Sequence, residues 1–563
     1  MEAQPSQSSP TPIAEIGSLA RAVEAERAGR YVAAWQEALK AIALRPFHPE
    51  AYIQMASTAV AAGDPEAALR AAQRALALTP KWTTAQQVVQ ALERTLNAHR
   101  KQPKKANSIA WPALPDPNRK PRLSVCMIVK NEERFLGQCL ASVKDIADEL
   151  IVIDTGSTDR TVEIARQHGA HVGHFEWCND FAAARNASIA PATGDWILYL
   201  DADEELNSDF VSGLTKLLNN REVNLYRLAL VNHHQGECSK SYVPRLYRNM
   251  PGIAFTGCVH EGVFTHIEKV SSCWQMCSVF GELVITHYGY EQKVMQERDK
   301  LKRNHDLLVK AIKETPNEFY FHMQLGLELG RMGKKEESFQ EYDLALNLAE
   351  TIGFNKITPE VRETLLTQYS AYLLKDQRYQ EVVQVLSGRL ATVAELSASQ
   401  LMVRARALIS LKSYPAAFND VKIAFKSRNS PTLFPSAVNA SSLALEAIAG
   451  EVYYLNGHFH ESIQFFEKAL TSPRVELRTM LAYAECLDRI GETQKSLKFL
   501  LTQVETKKCI PEIWAHGAKI LARHESLTET FNEWIAEAVK RYPNNLQIGK
   551  IKAQHKQGVE INQ

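Results

Sequence analysis

The chain predicts two architectures side by side: a doubly wound, mostly parallel α/β domain near its centre, and an all-α solenoid of helix pairs on either side of it. Three observations carry this reading. Between residues 123 and 200, short apolar runs rich in β-branched residues alternate with stretches of helical spacing. The last of those runs ends in Asp201-Ala202-Asp203. In the flanks, small residues and prolines recur at one fixed interval.

The first run, Ser124-Val125-Cys126-Met127-Ile128-Val129, reads as a strand that ends at Lys130-Asn131-Glu132-Glu133, and residues 135–143 follow with helical spacing. The second, Glu149-Leu150-Ile151-Val152-Ile153, ends at Asp154-Thr155-Gly156-Ser157-Thr158-Asp159. Its small polar residues bend tightly, and its Ser, Thr and Asp suit the cap of a helix over 161–168. A weaker third strand falls at His171-Val172-Gly173-His174, and a helix over 181–189. Residues 196–200 are the fourth strand. A strand of a parallel sheet hides both faces, but Asp201 and Asp203 cannot be buried unpaired without a penalty of several kcal/mol. They therefore belong at the strand's exit, where open α/β sheets bind ligands, and two carboxylates there suit a hard divalent cation bridging a diphosphate. A solvated acidic loop would write the same letters.

Taken together, Val129-Lys130-Asn131-Glu132-Glu133, Ile153-Asp154-Thr155-Gly156-Ser157-Thr158-Asp159-Arg160-Thr161, Ala184-Arg185-Asn186-Ala187, Gly194-Asp195-Trp196 and Asp201-Ala202-Asp203-Glu204 resemble, in order, the signature of family 2 glycosyltransferases with the GT-A nucleotide-sugar fold. The match runs over residues 123–206. Further on, Pro244-Arg245-Leu246-Tyr247-Arg248, Phe255-Thr256-Gly257-Cys258-Val259-His260-Glu261 and Ile285-Thr286-His287-Tyr288-Gly289-Tyr290 are similar to the branch of that family fused to helical repeats.

The resemblance implies a hexosyl- or N-acetylhexosaminyl-transferase that uses a nucleoside-diphosphate sugar, with roles for particular residues. Asp154 accepts hydrogen bonds from the base, with Glu132 or Glu133 helping at the first strand's exit. Arg185 offers paired donors to the diphosphate. Asp201 and Asp203 hold Mn²⁺ or Mg²⁺, which neutralises charge on the leaving nucleoside diphosphate. His287 matches a downstream metal-binding histidine, and an imidazole favours Mn²⁺. An inverting transferase also needs a carboxylate to take the acceptor's proton. Glu261 of the His260-Glu261 pair is the candidate, although the more usual family pattern is a Glu-Asp pair that this stretch lacks. Each residue has a plain structural alternative: Arg185 pairing on a helix face, His260 a satisfied core histidine, Asp154 a turn residue that caps a helix.

The flanks tell a repeat story. Gly29, Ala34, Ala38, Ala41 and Pro46 recur as Gly63, Ala68, Ala72, Ala75 and Pro80, which is the tetratricopeptide period. Downstream, Gly326, Gly333 and Ala345 hold equivalent offsets, Gly450, Gly457, Ser462, Phe466 and Ala469 repeat them, and Ala484, Gly491 and Ser496 follow one period on. This predicts about six helix pairs over 300–560, degenerate around 365–425. The expected division is 1–13 disordered, 14–100 repeats, 101–121 a proline- and lysine-rich linker, 122–292 the transferase and 293–560 repeats. Two N-terminal repeats are few for independent stability, so they are expected to pack on the transferase or the C-terminal array. The solenoid groove suits a peptide, a protein partner or the acceptor itself.

Charge and composition narrow the classes further. With 65 basic and 64 acidic residues in 563, net +1, nothing calls for a nucleic-acid partner. No apolar run is long enough to span a bilayer and the N-terminus lacks a signal pattern, which sets the expectation at the cytoplasm or the inner face of the membrane as a peripheral protein. Nine scattered cysteines fit reduced thiols, and Cys273 and Cys277 lack the partners of a zinc site. The acceptor is left open between a peptide or protein side chain, as in repeat-fused relatives that modify cysteine or serine of secreted peptides, and a growing surface polysaccharide or lipopolysaccharide core. A repeat scaffold carrying a degenerate nucleotide-sugar fold is the non-enzymatic alternative, disfavoured because Asp154, Arg185, Asp201, Asp203 and His287 are all present together.

Overall fold

The computed structural model describes residues 19–556 except 100–108, 208, 210–212, 235–236, 258–260, 264–266, 268–273, 289–293, 354–355, 358, 390–392, 428–441, 473–474 and 507–510. Two units are distinguished: residues 1–351 with 431–435, and residues 352–430 with 436–563.

The first unit begins with five helices, Ala20–Arg27, Tyr31–Leu44, Pro49–Ala61, Pro65–Leu78 and Thr83–His99. Ala38, Ala51, Ala59, Ala68 and Ala72 are fully buried between them, so backbones approach closely where larger side chains would hold them apart. Gly29 and Gly63, at φ 70° and 80°, take the left-handed turn that ends one helix and starts the next, which is why glycine recurs at that place in the period. Residues 109–122 have no regular structure but are pinned to these helices. Trp111 Nε1 donates to Asp64 Oδ2 at 2.9 Å, Trp35 Nε1 donates to the Pro112 carbonyl at 3.0 Å, and the two indoles lie 4.7 Å apart.

Eight strands follow: β1 (Leu123–Val129), β2 (Glu149–Asp154), β3 (His171–His174), β4 (Trp196–Tyr199), β5 (Glu204–Leu206), β6 (Val223–His234), β7 (Glu237–Arg248) and β8 (Cys277–His287). They form one sheet in the order β3-β2-β1-β4-β7-β6-β8-β5. β1 to β4 are parallel, as the alternating pattern predicts; β7 joins β4 antiparallel, β6 and β8 pair in parallel, and β5 closes antiparallel to β8. Val125, Met127 and Val129 fill the core on one face while Cys126, Ile151 and Ile197 fill the other, the two-sided burial that makes these runs continuously apolar.

The N-terminal helices share the second of those cores. Phe47 packs among Tyr247, Ile253 and Trp274, its amide donates to the Asn249 carbonyl at 3.1 Å, and Trp274 Nε1 donates to Glu50 Oε1 at 2.8 Å. The short repeat unit is thus docked on the α/β domain, which buries the face it could not bury alone. Helices Val294–Glu314, Phe319–Arg331 and Lys335–Ile352 complete the unit.

In the second unit the helix pairs Ala398–Ser410 with Tyr414–Ser427, Ser442–Leu455 with Phe459–Ala469, Leu477–Arg489 with Thr493–Thr506 and Pro511–Leu521 with Thr528–Arg541 stack in sequence. The repeat period has a specific physical content. Ser462 Oγ donates to the Gly450 carbonyl at 2.6 Å, Ser496 Oγ to the Ala484 carbonyl at 2.7 Å, and in the first unit Ser338 Oγ to the Gly326 carbonyl at 2.6 Å. The same bond ties the two helices of a pair each time. In the degenerate stretch, helix Tyr379–Gln384 runs into an irregular turn, Val385–Arg389, with Gly388 at φ 141°.

Candidate active site

The strand exits lie along one edge because the register aligns them. Val129 pairs with Asp154 and Asp154 with His174, while β4 pairs with the first half of β1 and leaves Asp201 and Asp203 just beyond its end. The loops after β1 and β2 are stitched to each other. Asn131, at φ 57°, accepts from the Thr158 amide at 2.8 Å through Oδ1, and its own amide donates to Ser157 Oγ at 2.9 Å. Asparagine tolerates that left-handed backbone better than most residues.

Asp154 is buried, 6% exposed. Its Oδ1 accepts from the Ser157 amide at 3.1 Å and its Oδ2 from the Gly156 amide at 3.2 Å, while His174 Nδ1 stands 3.6 Å away. The turn role is therefore real. Glu132 is half-buried and faces the acid pair: burial first, then the charges of Asp203, Asp201 and Asp159, push its carboxyl up to about 7.

Asp201 is held between two arginines. Arg185, from the helix Phe181–Ile189, donates through Nη2 to Asp201 Oδ1 at 2.8 Å and through Nε to Glu261, while Arg245 Nη2 lies 3.4 Å from Asp201 Oδ2 and 2.5 Å from Glu204 Oε1. Both guanidinium groups pack over the Tyr199 ring, at 4.7 and 4.1 Å. Burial opposes ionisation of Asp201, but the two arginines outweigh it and hold the carboxyl well below the usual range. The Asp201 amide donates to Glu204 Oε2 at 3.0 Å, so the acidic turn folds on itself.

Arg185, expected from the resemblance at the diphosphate, thus spends Nε and Nη2 on Glu261 and Asp201 and is only 8% exposed. Glu261 is correspondingly ion-paired. His260 lies outside the described residues.

Asp203 points the other way. Its Oδ2 is 3.3 Å from His287 Nε2, and His287 Nδ1 lies 2.7 Å from Asn232 Oδ1. Burial lowers the His287 pKa, but the Asp203 hydrogen bond and charge outweigh it, so the net shift is upward. β8 brings His287 beside Glu204 and beside Asn232 through its pairings with β5 and β6. Among the described residues, no group of three His, Cys, Asp or Glu side chains is arranged around a common point for a metal. An oxygen donor and an imidazole at 3.3 Å, both partly exposed, nonetheless suit a cation of the Mn²⁺ or Mg²⁺ kind, whose neighbouring ligands stand roughly 3 Å apart at octahedral bond lengths.

Arg245, Glu204, Tyr199 and Asn232 carry no role in the sequence reading. Arg245 is aimed by an irregularity: the β6–β7 register shifts between Tyr226/Leu246 and Arg227/Pro244, so Arg245 is the extra residue. Bulges of this kind re-aim side chains next to active sites. Only the charged residue in Pro244-Arg245-Leu246 hinted at it.

A mixed sheet with a parallel half, an Asp-X-Asp turn at the exit of β4 and acidic residues at the exits of β1 and β2 defines the GT-A class of nucleotide-sugar folds, here joined to tetratricopeptide helices. Within it, residues 124–265 match the model of Glycosyl transferase family 2. Among curated proteins, a TPR repeat-containing protein of Synechococcus elongatus is 40% identical over 208 residues, 36% of this chain and 51% of that one. Glycosyltransferase SunS, from the SPbeta prophage of Bacillus subtilis, is 27% identical over 232 residues, 40% of this chain and 54% of the relative. The chain spans about half the length of these curated relatives. Of solved structures, glucosyl-3-phosphoglycerate synthase from Mycobacterium tuberculosis, in complex with Mg²⁺ and uridine-diphosphate, aligns at 28% identity over 20% of this chain and 44% of that one, with a TM-score of 0.18. A tetratricopeptide repeat protein from Parabacteroides merdae aligns at 15% identity over 46% and 94%, with a TM-score of 0.31.

Proposed function

We propose that this chain is a metal-dependent glycosyltransferase that moves a hexosyl or N-acetylhexosaminyl group from a nucleoside-diphosphate sugar to a peptide or protein acceptor, with inversion at the anomeric carbon. The observation that carries it is the Asp203–His287 pair, 3.3 Å apart at the exit of β4, inside a domain that matches a glycosyltransferase family. Asp203 and His287 would hold Mn²⁺ or Mg²⁺, with Asn232 orienting the imidazole, and the bound ion would neutralise charge on the leaving diphosphate.

The remaining roles fall to residues already in place. Asp154 and the stitched loops after β1 and β2 form the floor for the nucleoside. Arg185 and Arg245 keep Asp201 ionised and fixed, which orients the acidic turn rather than the diphosphate. Glu261, tethered by Arg185 beside Asp201, is the carboxylate that takes the acceptor's proton as the nucleophile attacks. The repeats recruit the acceptor.

A screen of nucleotide sugars for hydrolysis, with and without Mn²⁺ or Mg²⁺, tests this without an acceptor. One donor should be hydrolysed faster with metal. Absence of metal-stimulated turnover with every common donor would remove the reading.

A further inference from the structure

At the opposite edge of the sheet from Asp201 and Asp203 lies a second cleft, of about 480 Å³, between the N-terminal helices, the 109–122 segment and the start of β4. That volume is of ligand-pocket size. Five arginines line it, Arg74, Arg119, Arg122, Arg221 and Arg248, against two carboxylates, Asp116 and Asp195. Asp195 is consumed by Arg119, which grips it with two bonds of 2.6 and 2.7 Å, and by the Arg122 amide at 2.7 Å. Asp116 caps its own turn by accepting from the Asn118 amide at 2.9 Å.

Arg74, Arg122, Arg221 and Arg248 make no ion pair among the described residues. Arg74 donates to the Pro115 carbonyl, and Arg122 Nη1 reaches Thr193 Oγ1 at only 3.4 Å. Arg248 is 6% exposed, donates to the Asn220 and Val223 carbonyls at 2.7 and 3.3 Å, and lies over the Trp196 and Phe47 rings at 4.0 and 5.0 Å. Burial pulls its pKa down to about 9, Asp195 opposes that, and the nearby charge of Arg221 adds to it. Arg248 thus meets its charge with carbonyls and aromatic faces beside the cleft rather than with an ion pair among the described residues. Phe47, Ile42 and Leu78 give the same cleft an apolar wall.

We infer that this cleft binds a small molecule carrying two anionic groups, phosphate or carboxylate, at a site separate from the sugar-donor site. The guanidinium groups of Arg122 and Arg221, both exposed at the cleft, are suited to either oxyanion, and a bound anion would add a negative charge beside Arg248. Because the 109–122 segment and the N-terminal helices form one wall, occupancy also holds those helices on the catalytic domain.

Calorimetric titration of the full chain, in buffer stripped of divalent cations by resin, tests this with pyrophosphate and, separately, citrate as probes. At least one should bind at a single site; the tighter of the two distinguishes phosphate from carboxylate ligands. The Arg122→Gln/Arg221→Gln double variant should weaken that binding tenfold or more, and Arg221→Gln alone, at an exposed position, should weaken it measurably if the double variant melts early. Asp203→Ala should leave it unchanged. No binding of either probe at millimolar concentration, equal binding to the arginine variants, or loss of binding in Asp203→Ala would each overturn the inference.

Discussion

Arg245 reaches Glu204 across the sheet, Nη2 to Oε1 at 2.5 Å, and in doing so also approaches Asp201. Glu204 is 2% exposed and Arg245 is 6% exposed, so this is a buried pair whose members depend on each other. Removing one partner of such a pair costs far more than replacing both, because it strands a charge in a poorly solvated place. Arg245→Met is expected to destabilise the first unit by about 3–5 kcal/mol. Pairing it with Glu204→Gln should restore part of the loss. Urea unfolding followed through tryptophan emission reads both, and an Arg245→Met protein as stable as the parent would show the bridge to be unimportant.

Asp203→Ala should abolish metal-stimulated donor hydrolysis while leaving the helical circular dichroism intact, since the Asp203 side chain is partly exposed and faces His287 rather than the core. Asn232→Ala tests the supporting bond to His287 instead. Loss of such an orienting partner typically weakens metal affinity about 10–100-fold. The Mn²⁺ concentration for half-maximal rate should rise accordingly, with the saturated rate changing less. Equal falls in both would point to damaged folding at β6.

Glu132 supplies a pH dependence. Its folded pKa, about 7, lies above its unfolded value, so its contribution to stability is complete below about pH 4.5 and is lost as pH rises through 7. The physical source is burial beside Asp203 and Asp201, which resist a third negative charge. Metal-free protein should therefore lose melting temperature between pH 5 and 8, and Glu132→Gln should flatten that slope. An unchanged slope in the variant would assign the pH dependence elsewhere.

Gly450 explains why a glycine recurs in the repeats. A Cβ built there would overlap the ring of Phe466, and at Gly326 it would come 3.0 Å from Tyr342. Since Phe466 is itself fully buried, Gly450→Ala should cost about 1–3 kcal/mol through overpacking. The loss should appear in the melting of the second unit alone, with donor hydrolysis by the first unit unaffected.

What could be read in the chain follows the range of the interactions. β1 to β4 and their exits were legible because parallel, two-sided burial writes itself into short apolar runs that end in polar residues. The helix pairs were legible because a glycine or alanine carbonyl and the serine on the facing helix make one bond, repeated once per period. The other half of the sheet, β6 to β8, was not. The β6–β8 pairing joins residues far apart in sequence, and the bulge that aims Arg245 exists only in the register between β6 and β7. The same limit hid the Arg185–Glu261 pair, whose members are 76 residues apart. A guanidinium suited to a diphosphate is equally suited to two carboxylates, and local sequence does not choose between them.

The boundary between the two units falls after Thr351, and it sets where the role of the repeats can be tested. A cut at residue 315 would remove the helix Phe319–Arg331, whose Tyr320 is close enough to Glu261 and Tyr199 for their charges, after burial, to raise its pKa. Ending the chain after residue 351 keeps that helix. If the second unit presents the acceptor, the shortened protein should hydrolyse donor at the full-length rate but transfer poorly to its natural acceptor, because tethering supplies effective concentration while the diphosphate chemistry stays in the first unit. A cooperative melt must accompany the assay, so that a loss of transfer is not a loss of folding. Undiminished transfer by a folded 1–351 chain would leave the second unit without a part in acceptor delivery, and would favour a glycan acceptor held by the catalytic domain alone.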